Sequence, residues 1–281
     1  MSRKYIRQVR ATFSGSSGGS LVVEDLRIEF DVEKTISSIP NAGEVRVYNL
    51  NSKHRYAVGK ELDHVVLEAG YVEGGMGIIL TGDISDVFHE RSDVDIISKV
   101  TVGDGDKADR QGYVAKTYPA GTEIKDIVKD IQKGMPGVSL GELKGLDEIP
   151  PTRRPVTLVS SSRRALDTLG RSNDFYWSVQ NETLETIPFD GFLNQRTLIT
   201  PQTGMIGVPT ITDNGIIVKA LLDPSIRPNR LIEVHSETLD MNGEKSGTYR
   251  VSGVAFGGDN MDGDFYVEAE GQLVQGGKVV G

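Results

Sequence analysis

No cysteine occurs among the 281 residues, so the chain can form neither a disulfide framework nor a thiolate metal site. That absence points to a reducing compartment or to a secreted assembly that needs no covalent staples. A single tryptophan and eight phenylalanines stand against 33 glycines, a balance that favours many turns and a β-rich chain. Apolar runs stay short of the roughly 18 residues that a membrane-crossing helix needs, so no membrane insertion is expected. The opening MSRKYIRQVRATFSG is basic but has no apolar segment behind it, which does not fit a signal peptide. Cations are in deficit too: 31 lysines and arginines against 40 aspartates and glutamates leave a net charge of -9. A protein whose task is to grip nucleic acid needs the opposite balance, because phosphate binding is driven by displacing counterions.

Catalytic patterns are also missing. The four histidines, His54, His64, His89 and His235, form no HExxH or HxH arrangement. There is no GxSxG elbow and no GxxxxGK[ST] phosphate loop, and the SSSRR run at 160–164 reads as a helix cap followed by exposed arginines. Arg153, Arg154, Arg163 and Arg164 make the one concentrated basic patch, read as a solvated face. The aspartate clusters VGDGDKAD (102–109) and GGDNMDGD (257–264) lack the spacing and terminal glutamate of a calcium loop and read as turns. No catalytic residue, cofactor or metal is therefore expected.

What is present is alternation. In LRIEFDVE (26–33), Leu26, Ile28, Phe30 and Val32 share one face while charged residues take the other, the pattern of a half-buried strand. Further strands are expected at 44–50, 64–71, 77–88 and 94–102, then at 215–222, 230–237, 248–256 and 264–273. Between these runs the period changes. Ile124, Ile127, Val128 and Ile131 recur at helical spacing, with Thr122 as a start and Gly134 and Pro136 as a stop. A second helix is expected in SSRRALDTLG, followed by a hairpin turning at Asn181 and Glu182. The expected division is therefore a β domain over 1–105, a small α/β insertion over 106–195, and a second β domain over 196–281. VYNLNSKHRYAVGKELDHVVLEAGY and VKALLDPSIRPNRLIEVHSE share one plan, and the two strands that follow begin 16 residues apart in each half, which suggests a repeated β domain.

TGMIGVPTITDNGIIVKALLDPSIRPNRLIEVHSE (203–237), followed by the glycine- and aspartate-rich turn before the last long strand, resembles the baseplate hub proteins of tailed bacteriophages. The residues that carry the resemblance are Thr203, Gly204, Ile206, Gly207, Pro209, Gly215, Val218, Leu221, Leu222, Pro224, Gly258 and Asp259, with Met205 in place of a leucine. It covers most of 44–271. The resemblance implies two tube-like β-barrel domains in one chain and a homotrimer arranged as a pseudo-six-fold ring. Such a hub would join a hexameric tail tube to a central spike protein, with baseplate wedge and tape measure proteins as further contacts. It implies a non-enzymatic virion component, assembled in the host cytoplasm, whose channel passes DNA without specific binding. The alternatives are a tail-associated cell-wall hydrolase, which would need a nucleophile, zinc site or acid pair, and a carbohydrate-binding β protein with an exposed aromatic platform. The stiff stretch 203–215 is expected to lead the chain into the second β domain, with Pro209 and Gly215 at the junction.

Overall fold

The computed structural model describes residues 4–16, 18–236 and 246–280. Its first third is a run of strands: β1 (Arg7–Ser14), β2 (Ser20–Val23), β3 (Ile28–Thr35), β4 (Ala42–Tyr48), the short helix α1 (Ser52–Ala57), β5 (His64–Tyr71), β6 (Gly75–Ser92) and β7 (Asp95–Gly103). The middle third alternates α2 (Asp106–Gln111), β8 (Tyr113–Tyr118), α3 (Ile124–Lys133), β9 (Ser139–Leu143), a 3-10 turn (Leu146–Glu148), β10 (Val156–Ser161), α4 (Ser162–Ser172), β11 (Phe175–Val179) and β12 (Thr183–Pro188). Strands return as β13 (Arg196–Ile199), β14 (Met205–Thr212), β15 (Gly215–Leu221), β16 (Leu231–His235), β17 (Ser246–Asp259), β18 (Phe265–Gln275) and β19 (Lys278–Val279). Of the strand expected at 230–237, Glu237 lies outside the described residues.

The strands of the two ends form one 14-stranded sheet, largely antiparallel, rather than two separate ones. Within it one path is drawn twice. In the first half the neighbours run β3-β4-β7-β6-β5, and in the second β14-β15-β18-β17-β16, all antiparallel; the next strand is β1, antiparallel, in the first and β13, parallel, in the second. The agreement extends to detail. Between Ile84 and Asp86, and again between Val251 and Gly253, the long strand bulges by one residue. The extra residue is a serine in both, and its hydroxyl donates to the facing strand: Ser85 to the Thr101 carbonyl at 3.2 Å, Ser252 to the Glu270 carbonyl at 3.1 Å. Just before each bulge an amide closes the same bond, Ile84 to Asp63 and Val251 to Arg230, both at 2.8 Å.

Among the described residues the pairing closes neither half into a barrel. In the first half the edge of β3 that closure would use pairs instead with β17 of the other half, residues Glu29–Thr35 against Gly253–Asp259. Behind this seam Phe30 and Val32 pack with Phe256, Phe265 and Val267, so one apolar core spans both halves. A second core lies in the middle third, built on Ile127, Val128 and Ile131 of α3 against Leu166 of α4, Trp177 and Leu184. Helix α3 follows the expected apolar stripe and stops at Gly134, but Thr122 does not cap it. The Thr122 hydroxyl instead donates to the Pro119 carbonyl at 2.7 Å, and Glu123 occupies the cap position without a side-chain bond. Helix α4 does start on a serine: Ser161 accepts from the Arg164 amide at 3.3 Å.

Candidate functional site

Alternation along β3 places Glu29, Asp31 and Glu33 on the face opposite the core, and cross-strand register extends that face sideways. Glu44 and Arg46 of β4 lie opposite Asp31 and Glu29, Lys99 of β7 opposite Arg46, Glu268 and Glu270 of β18 beyond β17, and Lys219 of β15 opposite Glu268. The face thus carries the carboxylates of Glu29, Asp31, Glu33, Glu44, Glu268 and Glu270 against the cations Arg46, Lys99 and Lys219. Arg46 reaches three of the acids, Asp31 at 3.1 Å, Glu29 at 3.6 Å and Glu44 at 2.5 Å. Strand β17 contributes Gly253, Ala255 and Gly257 to this side before Asp259 at its end, and the three small residues leave a furrow of about 260 Å³ between the acidic rows of β3 and β18. Burial pushes the Tyr48 hydroxyl up to about 12, reinforced by its 2.7 Å bond to Glu29.

One residue further along β3, Lys34 falls on the core side and is fully buried. It belongs to a polar socket that receives the tip of the β11–β12 hairpin. That tip is Asn181 and Glu182, both left-handed at φ 51° and 55°, the geometry of a type I′ turn. A glutamate is costly there because its Cβ crowds the backbone. The compensation is Asp104, buried at 1 % exposure, whose carboxylate accepts the Asn181 and Glu182 amides at 2.7 Å each. Lys34 donates to the Asn181 side chain and stands 3.9 Å from Asp104. Burial lowers the Lys34 ammonium to about 8 against the pull of Asp104, and burial raises the Asp104 carboxyl against the pull of Lys34 and the two amides. Gln180 donates to the Thr35 carbonyl at 2.7 Å, and Asn41 donates to the Val179 carbonyl at 2.8 Å. His64 of β5 completes the ring of contacts, its Nε2 3.0 Å from the Glu182 carboxylate, which holds the imidazole above its ordinary value.

The second half grips the middle third differently. Arg230 makes two 2.6 Å bonds to Glu185 on β12, a largely buried bidentate pair. Arg250 on β17, buried at 1 % exposure, donates to the carbonyls of Phe189 at 2.9 Å and Gly191 at 2.8 Å and bonds Gln272. Burial lowers its guanidinium, which is held by the two carbonyls and the Gln272 side-chain oxygen.

The residues singled out in the sequence divide among three places. Thr203, Gly204, Ile206, Gly207, Pro209 and Gly215 lie in and before the β14–β15 hairpin, at the outer end of the sheet and away from the β3–β17 seam. There the Thr203 hydroxyl donates to the Leu198 carbonyl at 3.0 Å, Gly204 adopts φ 112° against Leu221, and Gly207 adopts φ 72°. A Cβ on Gly215 would meet the Gly271 carbonyl at 1.8 Å, so the strand pairing itself demands glycine. Val218 and Leu222 are core residues. Pro224 packs where a Cβ on Gly77 would stand, and neighbouring Asp223 pairs with Lys4 at 3.2 Å, so the segment 222–224 rather than Pro209 and Gly215 borders the first half. Gly258 and Asp259 stand at the end of the seam, Gly258 against Phe30 and Asp259 accepting from Arg27 at 2.9 Å.

Sequence reasoning missed the socket. Asp104 was hidden in a cluster that reads as a turn, and Lys34 came just after an alternating run whose polar face is solvated. Of the turn expected at 257–264, residues 257–259 continue β17 and 260–264 make the turn, while VGDGDKAD leads into α2. Trp177 is buried with its Nε1 on Asp167 at 2.9 Å and offers no surface platform.

Similar folds occur in a 43 kDa tail protein of prophage MuSo2 from Shewanella oneidensis (9 % identity, 95 % of this chain and 97 % of that one, TM-score 0.63). A tail protein from Neisseria meningitidis MC58 is comparable (12 %, 95 % and 97 %, TM-score 0.62). So is a type VI secretion system component of E. coli described as structurally similar to the T4 tail proteins gp27 and gp5 (12 %, 90 % and 75 %, TM-score 0.65). No curated protein sequence matches the chain. The model of the family Baseplate hub gp41 matches residues 8–271, so the acidic seam and the repeated sheet belong to a member of that family, a structural component of bacteriophage tails.

Proposed function

We propose that the chain is the central hub of a phage tail baseplate, a non-enzymatic homotrimer that works by shape. Two repeats in each of three copies supply six similar units, which would suit a hexameric tail tube on one side and a trimeric spike on the other. The observation that carries this reading is the five-strand antiparallel path drawn twice and joined edge to edge through β3 and β17. A chain that makes one such joint internally already has the head-to-tail character from which rings are built.

In this reading each repeat is a tube-like domain, with 1–105 and 196–281 around the ring and 106–195 bolted to both. The carboxylate-rich face of the seam lines the channel. DNA on its way out meets like charge, which disfavours adhesion, and the glycine- and alanine-lined furrow offers little for a base or phosphate to hold. Mass measurement of the purified protein tests the assembly: a trimer is expected, and a strict monomer at high concentration would sink it. Converting Glu33, Glu268 and Glu270 to lysine should create DNA retention in a gel-shift assay where the unaltered protein shows none. Retention by the unaltered protein would overturn the channel assignment.

A further inference from the structure

The repeat has one joint made and one left open. In the second half the strand beyond the serine bulge, Gly253–Asp259, has β18 on one side and β3 on the other. Among the described residues its counterpart in the first half, Asp86–Ser92, pairs with β7 on one side only, because β5 ends its pairing at Asp83. Exposure follows: Val254 is buried and Ala255 half-buried, whereas their equivalents Val87 and Phe88 are half-buried and 57 % exposed. Along the bare edge runs a cleft of about 410 Å³, walled by Ile84–Val87 on one side and α1 with Gly59 and Lys60 on the other.

The complementary edge exists at the far end of the same sheet. Strand β14 occupies in the second repeat the place of β3 in the first, pairing with β15 as β3 pairs with β4: Thr212 faces Gly215 as Glu33 faces Ala42. Among the described residues its outer edge is unpaired, and Ile206, Val208 and Ile211 are exposed at 40 %, 59 % and 46 %. Exposed apolar edge strands are templates for further pairing unless covered. Here the chain's own β3–β17 joint specifies what covers them.

Resting on the trimeric reading above, we propose that β14 of one copy lies in the cleft beside β6 of a second copy. Thr210–Thr212 pair antiparallel with Phe88–Glu90 in the register by which Asp31–Glu33 pair with Ala255–Gly257 inside one chain. Equivalence then matches Phe88 with Thr212 across the copies, as Ala255 matches Glu33 within one. Each copy offers one β14 and one β6 edge, so the contact is head-to-tail, and a ring of three copies closes if internal and inter-copy joints each turn the chain by one sixth of a circle.

The absence of cysteine makes the test clean. Phe88→Cys with Thr212→Cys is oxidised and run on a non-reducing gel. Six strands separate β6 from β14 within one chain, so the disulfide can form only between copies. Covalent dimers and trimers, with trimer the largest species, are expected. The pair Glu33→Cys with Ala255→Cys serves as the internal control and should cross-link within one chain. A trimer by mass in which 88 and 212 stay reduced while 33 and 255 oxidise would overturn this joint and leave the trimeric hub standing. A monomer by mass without any 88–212 disulfide would overturn both, and polymers longer than three copies would overturn the closed geometry.

Discussion

The two β repeats share a path, a serine bulge and the bond that each bulge makes, and they differ in what lies alongside. Beyond Ser252 the chain is flanked by β3 and carries small residues outward, Gly253, Ala255 and Gly257; beyond Ser85 the same stretch is open and carries Asp86, Phe88 and Glu90. The repeats also hold the middle third by different chemistry. The first buries Asp104 under two strained amides, and the second uses the exchange of charge between Arg230 and Glu185. Duplication of a path thus preserved what the backbone needs to bulge and turn. Edges and polar clamps are specified by side chains, and there the repeats diverged.

Breaking the first clamp should have the largest effect. Asp104→Ala strands a buried lysine and two amides of a strained turn and should cost about 5 kcal/mol, the upper end for a broken buried pair, read by urea unfolding. Glu185→Ala on the second clamp should cost less, about 3 kcal/mol, because Arg230 at 12 % side-chain exposure has a route to water. If the two costs were equal, the clamps would not differ as described. At the edges the equivalent pair Val254→Ala and Val87→Ala separates covered from bare: about 2 kcal/mol for the former and less than half of that for the latter in the monomeric chain. Ser85→Ala and Ser252→Ala should each cost about 0.5–1 kcal/mol, and a large inequality would mean that the bulges are not equivalent.

The smallest effect concerns His64. Its folded-state pKa is raised above the unfolded 6.5, chiefly by the hydrogen bond to Glu182. The stabilisation is therefore fully present below about pH 6.5 and is lost as pH rises through the folded value. A melting-temperature series from pH 5.5 to 8.5 should show this slope in the unaltered protein and a flatter one in His64→Gln.

Much of the fold was legible because it follows from periodicity. The strand read at 64–71 is β5 residue for residue, the stripe Ile124, Ile127, Val128 and Ile131 is the buried face of α3, and Asn181–Glu182 is the hairpin turn. The repeat was visible in the shared plan of the segments that hold β4–β5 and β15–β16, though the strands after them begin at Gly75 and Asp95 and at Ser246 and Phe265, not at the expected equal spacing. Other strands were not read: β1 lies in a segment judged only for its lack of an apolar run, and β14 is interrupted by Gly207 and Pro209. Of the hub-like residues, Gly258 and Asp259 stand at the seam, while Thr203–Gly215 form the outer hairpin rather than the junction.

By itself the sequence determined the strongly periodic strands, the helices α3 and α4, which face of each is apolar, and the shared plan of β4–β5 and β15–β16, since these depend on neighbours a few residues away. Only the tertiary structure decided that β3 gives its second edge to β17, that Asp104 supports a turn 77 residues later, and that Pro224 fills the space beside Gly77. A strand's alternation states which side is buried but not which strand lies at either edge. A carboxylate's place in a turn-like cluster likewise does not reveal the two amides that long-range packing brings to it.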